Sequence, residues 1–140
     1  MNLVSGSVTG DVYAGGYLYK GSNGAQSTVT EGTINLYSAD VFQGQKLSGN
    51  GAQKAALNVG GFSKDFEKTV KLEGFTTITG SGGDLTNLEF SYGDKTESTI
   101  AGGAFFFTGV EPNAANRGKT LSIGSETAPV VAAFADIANA

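Results

Sequence analysis

The chain has no histidine and no cysteine. Without histidine it can have neither a Ser-His-Asp triad nor a histidine-ligated metal site. Without cysteine it has no disulfides, thiolate nucleophiles or cysteine–zinc sites, which is compatible with an extracellular bacterial protein that does without disulfides. No apolar run approaches the roughly 20 residues that a membrane-spanning helix needs. The sequence therefore predicts no transmembrane segment in this chain, no cofactor and no metal site.

Positive charge is also scarce. Nine Lys and Arg residues face 13 Asp and Glu residues, the net charge is −4, and Arg117 is the single arginine. The sequence pI lies near 4.6. A nucleic acid would need a basic face to neutralise its phosphates. We therefore expect no nucleic acid partner.

Proline occurs only twice, whereas glycine supplies 22 of the 140 residues. Because glycine weakens a helix interior by roughly 1 kcal/mol relative to alanine, short strands joined by tight turns are favoured over a helical bundle. Apolar and polar residues alternate in Ser27–Tyr37, with Ile34 and Leu36 on one face and Thr, Asn and Tyr on the other. Lys68–Gly80 alternates in the same way until Gly74, where we expect a bulge or bend. These features predict an all-β fold.

Related segments recur along the chain. Val12–Gly21, Leu57–Phe66 and Thr99–Gly109 each place an apolar β-branched residue before a glycine pair and aromatic side chains. Segments about forty residues apart fall within the range of stacked structural repeats. The repeats predict a β-solenoid of about six turns, each of roughly 20–25 residues. An antiparallel β-sandwich is the alternative.

The C-terminal segment differs from the rest. The spacing of Val130, Phe134 and Ile137 predicts a short helix, and residues 127–140 would then form a cap on the last turn. A strand over the apolar run Pro129–Phe134 is the alternative. Together with the strands, this predicts one β-rich domain over residues 1–140.

Three short motifs resemble those of a known family. "GDVYAGGY" (Gly10–Tyr17), "GTINL" (Gly32–Leu36) and "LTNLEF" (Leu85–Phe90) are similar to repeats in the passenger domains of large bacterial autotransporters. The resemblance covers roughly Ser5–Gly109.

This resemblance implies a right-handed parallel β-helix displayed outside the outer membrane, at the bacterial cell surface. It implies a non-enzymatic role in adhesion or as a scaffold, with surface glycans or host proteins as partners and with possible self-association. Because Met1–Gly10 lacks the charged and apolar regions of a signal peptide, we expect the chain to be a fragment of a longer protein.

Tyr13, Tyr17 and Tyr19 are the candidate binding residues. Tyrosine offers contact area with few rotatable bonds, so the three could form a strip for stacking against carbohydrate. The alternative is that they are strand residues packed partly within the solenoid. The matching segment Phe105–Phe107 is entirely phenylalanine, which favours packing over recognition.

Acidic residues supply the candidate metal site. Asp84 lies in a glycine-rich turn, and Asp94 and Glu97 lie close together in sequence. Calcium needs six to eight oxygen ligands, and neither segment has the spacing of a calcium-binding repeat. We therefore interpret these acids as turn residues.

Two further functions stay open as alternatives. A polysaccharide-acting enzyme could use Asp65 with Glu67, or Asp84 with Glu89, as acid and base, but no motif fixes their separation. A filament subunit could assemble by strand exchange or edge pairing through an apolar strand such as Ala104–Val110.

Overall fold

A computed structural model describes residues 1–4, 6–15, 29–37, 46–60, 69–81, 85–124, 126–127, 129 and 131–134. Within these ranges the chain forms short β-strands and a single turn of 3-10 helix, Ala114–Asn116. The strands are β1 (Asn2–Leu3), β2 (Val12–Tyr13), β3 (Val29–Leu36), β4 (Leu47–Ser48), β5 (Ala52–Gly60), β6 (Thr69–Glu73), β7 (Thr77–Ser81), β8 (Leu85–Ser91), β9 (Glu97–Ala101), β10 (Ala104–Thr108), β11 (Thr120–Ile123) and β12 (Val131–Phe134).

The strands divide strictly between two six-stranded sheets. The odd-strand sheet has the order β1-β3-β5-β7-β9-β11, and the even-strand sheet has the order β12-β10-β8-β6-β4-β2. Every pairing in both sheets is parallel. Because parallel neighbours cannot be joined by a hairpin, the chain crosses to the other sheet after each strand and returns one level further along. We call one odd strand with the following even strand a coil.

This architecture is a parallel β-solenoid. The predicted β-solenoid is therefore confirmed, and the alternative of an antiparallel sandwich is wrong. The sequence could not decide between the two folds, because glycine-rich connections form corners between two parallel sheets as readily as they form hairpins between antiparallel strands.

The core lies between the two sheets and is built from columns of apolar side chains. In the odd-strand sheet, Ile34 is in register with Leu57, and Ile78 is in register with Ile100. All four are fully buried. Burial of one such side chain contributes about 1.5–3 kcal/mol. The facing column in the even-strand sheet contains Val12, Leu47, Leu72 and Phe90.

The C-terminal segment is a strand over the residues described. Val131–Phe134 forms β12 and pairs with β10. The helix predicted there is therefore wrong over these four residues, and the alternative of a strand is confirmed. The backbone edge of β10 offers hydrogen bonds that a helix would leave unused, and this outweighs the helical spacing of three apolar residues. Residues 135–140 lie outside the described part.

The corners that lead from an even strand to the next odd strand stack on one another. Gly74 turns the chain there with φ +74°, and Gly93 does so in the next coil with φ +58°. A Cβ atom on Gly74 would lie 2.1 Å from Oδ1 of Asn50, and one on Gly93 would lie 2.2 Å from the same oxygen. The bend predicted at Gly74 is confirmed, and its glycine is required by both conformation and space.

We expect Gly74→Ala to lower the free energy of unfolding by about 3 kcal/mol or more, because it adds a steric clash to an unfavourable φ. Gly118→Ala is the matched control. Gly118 has φ +73°, and no described atom lies within 4 Å of its Cβ position. That control therefore tests the conformational penalty alone, about 1–2 kcal/mol. Urea denaturation measures both losses, and equal losses would show that the corner relaxes around the methyl group.

Candidate functional site

The outward side of the odd-strand sheet carries two adjacent columns of small, mostly polar side chains. We call these two columns the ladder face. Glu31 and Lys54, which are exposed and in register, lie beside them on the same side of the sheet. One column contains Thr33, Ala56, Thr77, Thr99 and Ser122, and a second contains Asn2, Asn35, Asn58, Thr79 and Ala101. None of these residues is charged. Because strands lie about 4.8 Å apart, hydroxyl, amide and methyl groups repeat at that spacing along the solenoid.

The asparagine column is joined by hydrogen bonds between side chains. Nδ2 of Asn58 donates to Oδ1 of Asn35 at 2.7 Å, and Nδ2 of Asn35 donates to Oδ1 of Asn2 at 2.8 Å. Each amide nitrogen carries two N–H donors. Each of these two bonds uses one donor and holds the amides in a fixed plane across three strands.

A shallow cleft of about 250 Å³ opens where these strands leave the sheet. Its walls combine amides and hydroxyls with apolar surface and one aromatic ring. Tyr37 directly follows β3 and is 53% exposed, and its backbone N–H donates to the oxygen of Leu3 at 3.0 Å. The lining residues are Asn35, Leu36, Tyr37, Asn58, Val59, Thr79 and Gly80.

The outward side of the even-strand sheet carries lysine and glutamate side chains on several neighbouring strands. We call this surface the charged face. Lys46 forms a salt bridge with Glu73 at 2.9 Å, and Lys71 is in register with Glu89. The hydrogen bond to Glu73 raises the pKa of Lys46, and nearby negative charge adds to this effect. An exposed ion pair such as Lys46–Glu73 contributes at most about 1 kcal/mol to stability. The main effect of these charged side chains is therefore to keep this surface hydrated.

One serine on this face has a carboxylate partner. The hydroxyl of Ser48 donates to Oε1 of Glu73 at 3.0 Å. Serine beside a base is the geometry of an activated nucleophile. Ser48 is fully buried, however, so no substrate can reach its oxygen in this structure.

The predicted tyrosine strip is described at one position only. Tyr13 lies half-buried at the end of β2, in register with Ser48. Tyr17 and Tyr19 lie outside the described residues, so the strip stays a prediction. Phe107, in the matching aromatic segment, is fully buried. Sequence reasoning missed the exposed Tyr37 as a site residue, although the alternation in β3 had placed it on the polar face.

The acidic residues do not come together in the described part of the chain. Glu89 lies on the charged face and Glu97 begins β9, both exposed. Asp65, Glu67 and Asp84 lie outside the described ranges. Within those ranges, no group of three or more acidic side chains is placed to hold a metal ion.

Asp94 instead belongs to a bridge between corners, which we call the corner brace. Its Oδ2 accepts from the backbone N–H of Gly51 at 2.9 Å, and its own N–H donates to Oδ1 of Asn50 at 3.0 Å. Lys95 is 8% exposed; its ammonium contacts the Asp94 carboxylate and donates to the oxygen of Gly49 at 3.1 Å. The brace connects corners that lie two coils apart. It can do so because the corner between them presents Gly74, which has no side chain there.

Comparisons with protein families, curated proteins and solved structures gave no match to the chain. No helix in the described residues has the length and apolar character to cross a membrane. The resemblance to autotransporter passengers therefore stays a prediction from the motifs, and the function has to be argued from the faces of the solenoid.

We expect Asp94→Ala to lower the free energy of unfolding by about 2–4 kcal/mol, because it leaves a buried ammonium group and a backbone N–H without their carboxylate partner. Glu97→Ala removes an exposed carboxylate three residues away and is the matched control, with an expected change within about 0.5 kcal/mol. Chemical denaturation of both variants measures the difference. A similar small loss for the two would show that the brace does not stabilise the fold.

We also expect the stability to fall in alkaline solution. The hydrogen bond to Glu73 raises the pKa of Lys46 above its ordinary value, and burial raises the pKa of the Tyr92 phenol above its ordinary value. The folded protein holds both protons more tightly than the unfolded chain. Their contributions are therefore complete below the unfolded pKa values and are lost as the pH rises through the folded ones.

Denaturation curves between about pH 8 and about pH 11 test this expectation. Tyr92→Phe should make the alkaline loss shallower, and Lys46→Met should do so independently. A flat curve for the unmodified chain would contradict the assignment.

Proposed function

We propose that this chain is a non-enzymatic adhesion module of the autotransporter-passenger type, displayed at the bacterial cell surface. The observation that supports this function best is the ladder face. It is a solvent-facing, regular array of uncharged polar groups held by a parallel β-solenoid. Recognition by such an array needs no catalytic group.

Regular spacing is the property that suits adhesion. Each contact of a hydroxyl or amide with a partner is weak, because it replaces a hydrogen bond to water. Many equivalent contacts on a rigid support act together, since the first contact raises the effective concentration for the next. The backbone hydrogen bonds of β3, β5, β7 and β9 fix the positions of the columns before a partner arrives. The ordering cost of binding is then small.

The two faces divide the tasks that an extracellular module has to perform. The charged face carries lysine and glutamate side chains, which keep the solenoid solvated. The two columns of the ladder face carry no charge themselves, and Glu31 and Lys54 lie beside them on the same side of the sheet. A partner that meets the two columns loses little hydration energy from ionic groups.

In a second candidate function, the chain is a subunit of a filament assembled by edge pairing. The observation that favours it is that β11 is the last strand of its sheet in the described part of the chain. Ile123 on this strand is 40% exposed. An unpaired strand edge of this kind can accept a strand from a second molecule. Sedimentation that depends on concentration, with filaments in electron micrographs, would support this function over a monomeric adhesin.

Beads coated with the purified chain test the adhesion proposal on surfaces of immobilised glycans, of extracellular proteins and of epithelial cells. We expect the unmodified chain to bind at least one of these surfaces. The double variant Thr77→Lys, Thr99→Lys should reduce binding about tenfold or more, because its ammonium groups must be desolvated at the contact. Thermal melting confirms that the variants are folded.

The matched control changes the other side of the solenoid. Lys71→Thr with Glu89→Thr removes one pair from the charged face and should leave adhesion unchanged. Equal losses for both double variants, or no adhesion by the unmodified chain, would contradict the proposal. Release of reducing sugar from any polysaccharide surface would contradict its non-enzymatic part.

A further inference from the structure

The cleft beside Tyr37 combines the features of a small recognition site on the ladder face. Its described lining residues supply one exposed tyrosine and polar groups from three neighbouring strands, and none of these described residues is charged. We propose that this cleft binds a single pyranose unit of an uncharged polysaccharide. The inference rests on the proposed adhesion function and names its ligand class.

Tyr37 supplies the surface for the apolar side of the sugar. Its position two residues after Asn35 on an extended strand places it on the outward face. Val59 is the register partner of Leu36, so Gly60 follows at the level next to Tyr37. That position has no side chain to cover the tyrosine. A ring that is more than half exposed offers large contact area at low entropic cost.

Asn58 and Thr79 supply the polar contacts. Both are exposed and in register on neighbouring strands, so their polar groups lie about 4.8 Å apart along the solenoid. Amides and hydroxyls both donate and accept, as sugar hydroxyls do. The bond from Asn58 to Asn35 fixes one amide in place, so the cleft is arranged for its ligand before binding.

The charge and size of the cleft further restrict the class of ligand that it can bind. An acidic sugar would find no cation among the lining residues that the structure describes, so its carboxylate would lose hydration there without compensation. A volume of about 250 Å³ lies below the range of about 300–1,000 Å³ typical of drug-sized ligands. One neutral sugar ring of a longer chain fits this description, with its neighbours extending along the columns.

NMR titration of the whole chain tests the proposal, with cellohexaose and mannohexaose as neutral probes and hexagalacturonate as the acidic probe. We expect at least one neutral probe to bind, with shifts at Tyr37, Asn58 and Thr79. Tyr37→Ala should weaken this binding about tenfold or more. Tyr37→Phe should restore it, because the ring face is kept. Lys71→Ala on the charged face is the remote control and should have no effect.

Each other outcome overturns the site in an identifiable way. If a neutral probe binds Tyr37→Ala as tightly as it binds the unmodified chain, the sugar binds outside the cleft beside Tyr37. The adhesion function would still stand. A preference for hexagalacturonate would contradict the argument from charge. If beads adhere to a surface but no probe binds, the sugar site fails and adhesion stands. If beads also fail to adhere, both proposals fail.

Discussion

The register between successive coils is the constraint on which the structure depends. A parallel strand that slipped by one residue would turn the column of Ile34, Leu57, Ile78 and Ile100 toward solvent, because side chains alternate along a strand. The stacked corners prevent this slip. The oxygen of Asn50 fits against two glycines in two further coils only when each corner sits at its own level. Hydrogen bonds between backbones hold the coils together, but the corners determine which residues face each other.

Both outward surfaces follow from that register. The asparagines of the ladder face can bond in line only because three coils present the same position at the same height. The lysines and glutamates of the charged face can pair across strands for the same reason. The surfaces on which the proposed functions rest are therefore columns of residues from separate coils, and each side chain by itself is ordinary for an exposed strand. The proposals for adhesion and for sugar binding both depend on this feature.

Local patterns allowed much of the fold to be predicted. Alternation in β3 and β6 gave the buried faces correctly, and Gly74 marked a real bend. The internal repeats pointed to a solenoid, yet two of them were aligned incorrectly. Val12 lies in the even-strand sheet and Thr99 in the odd-strand sheet. The two segments therefore occupy different positions within their coils and are not equivalent repeats. A short motif does not record which sheet a strand joins. The cleft beside Tyr37 and the corner brace were missed because their partners come from different coils, as with Asp94 and Asn50, which are 44 residues apart.

The corner brace also changes how this solenoid comes apart. In repeat architectures each unit contacts its neighbours, so unfolding can begin at an end and proceed one unit at a time. Here Asp94 and Lys95 hold backbone and side-chain groups two coils away. The coil between them cannot detach without breaking contacts that belong to its neighbours on both sides. We therefore expect the three coils that contain Asn50, Gly74 and Asp94 to unfold as one cooperative block, at which fraying of the outer coils would stop.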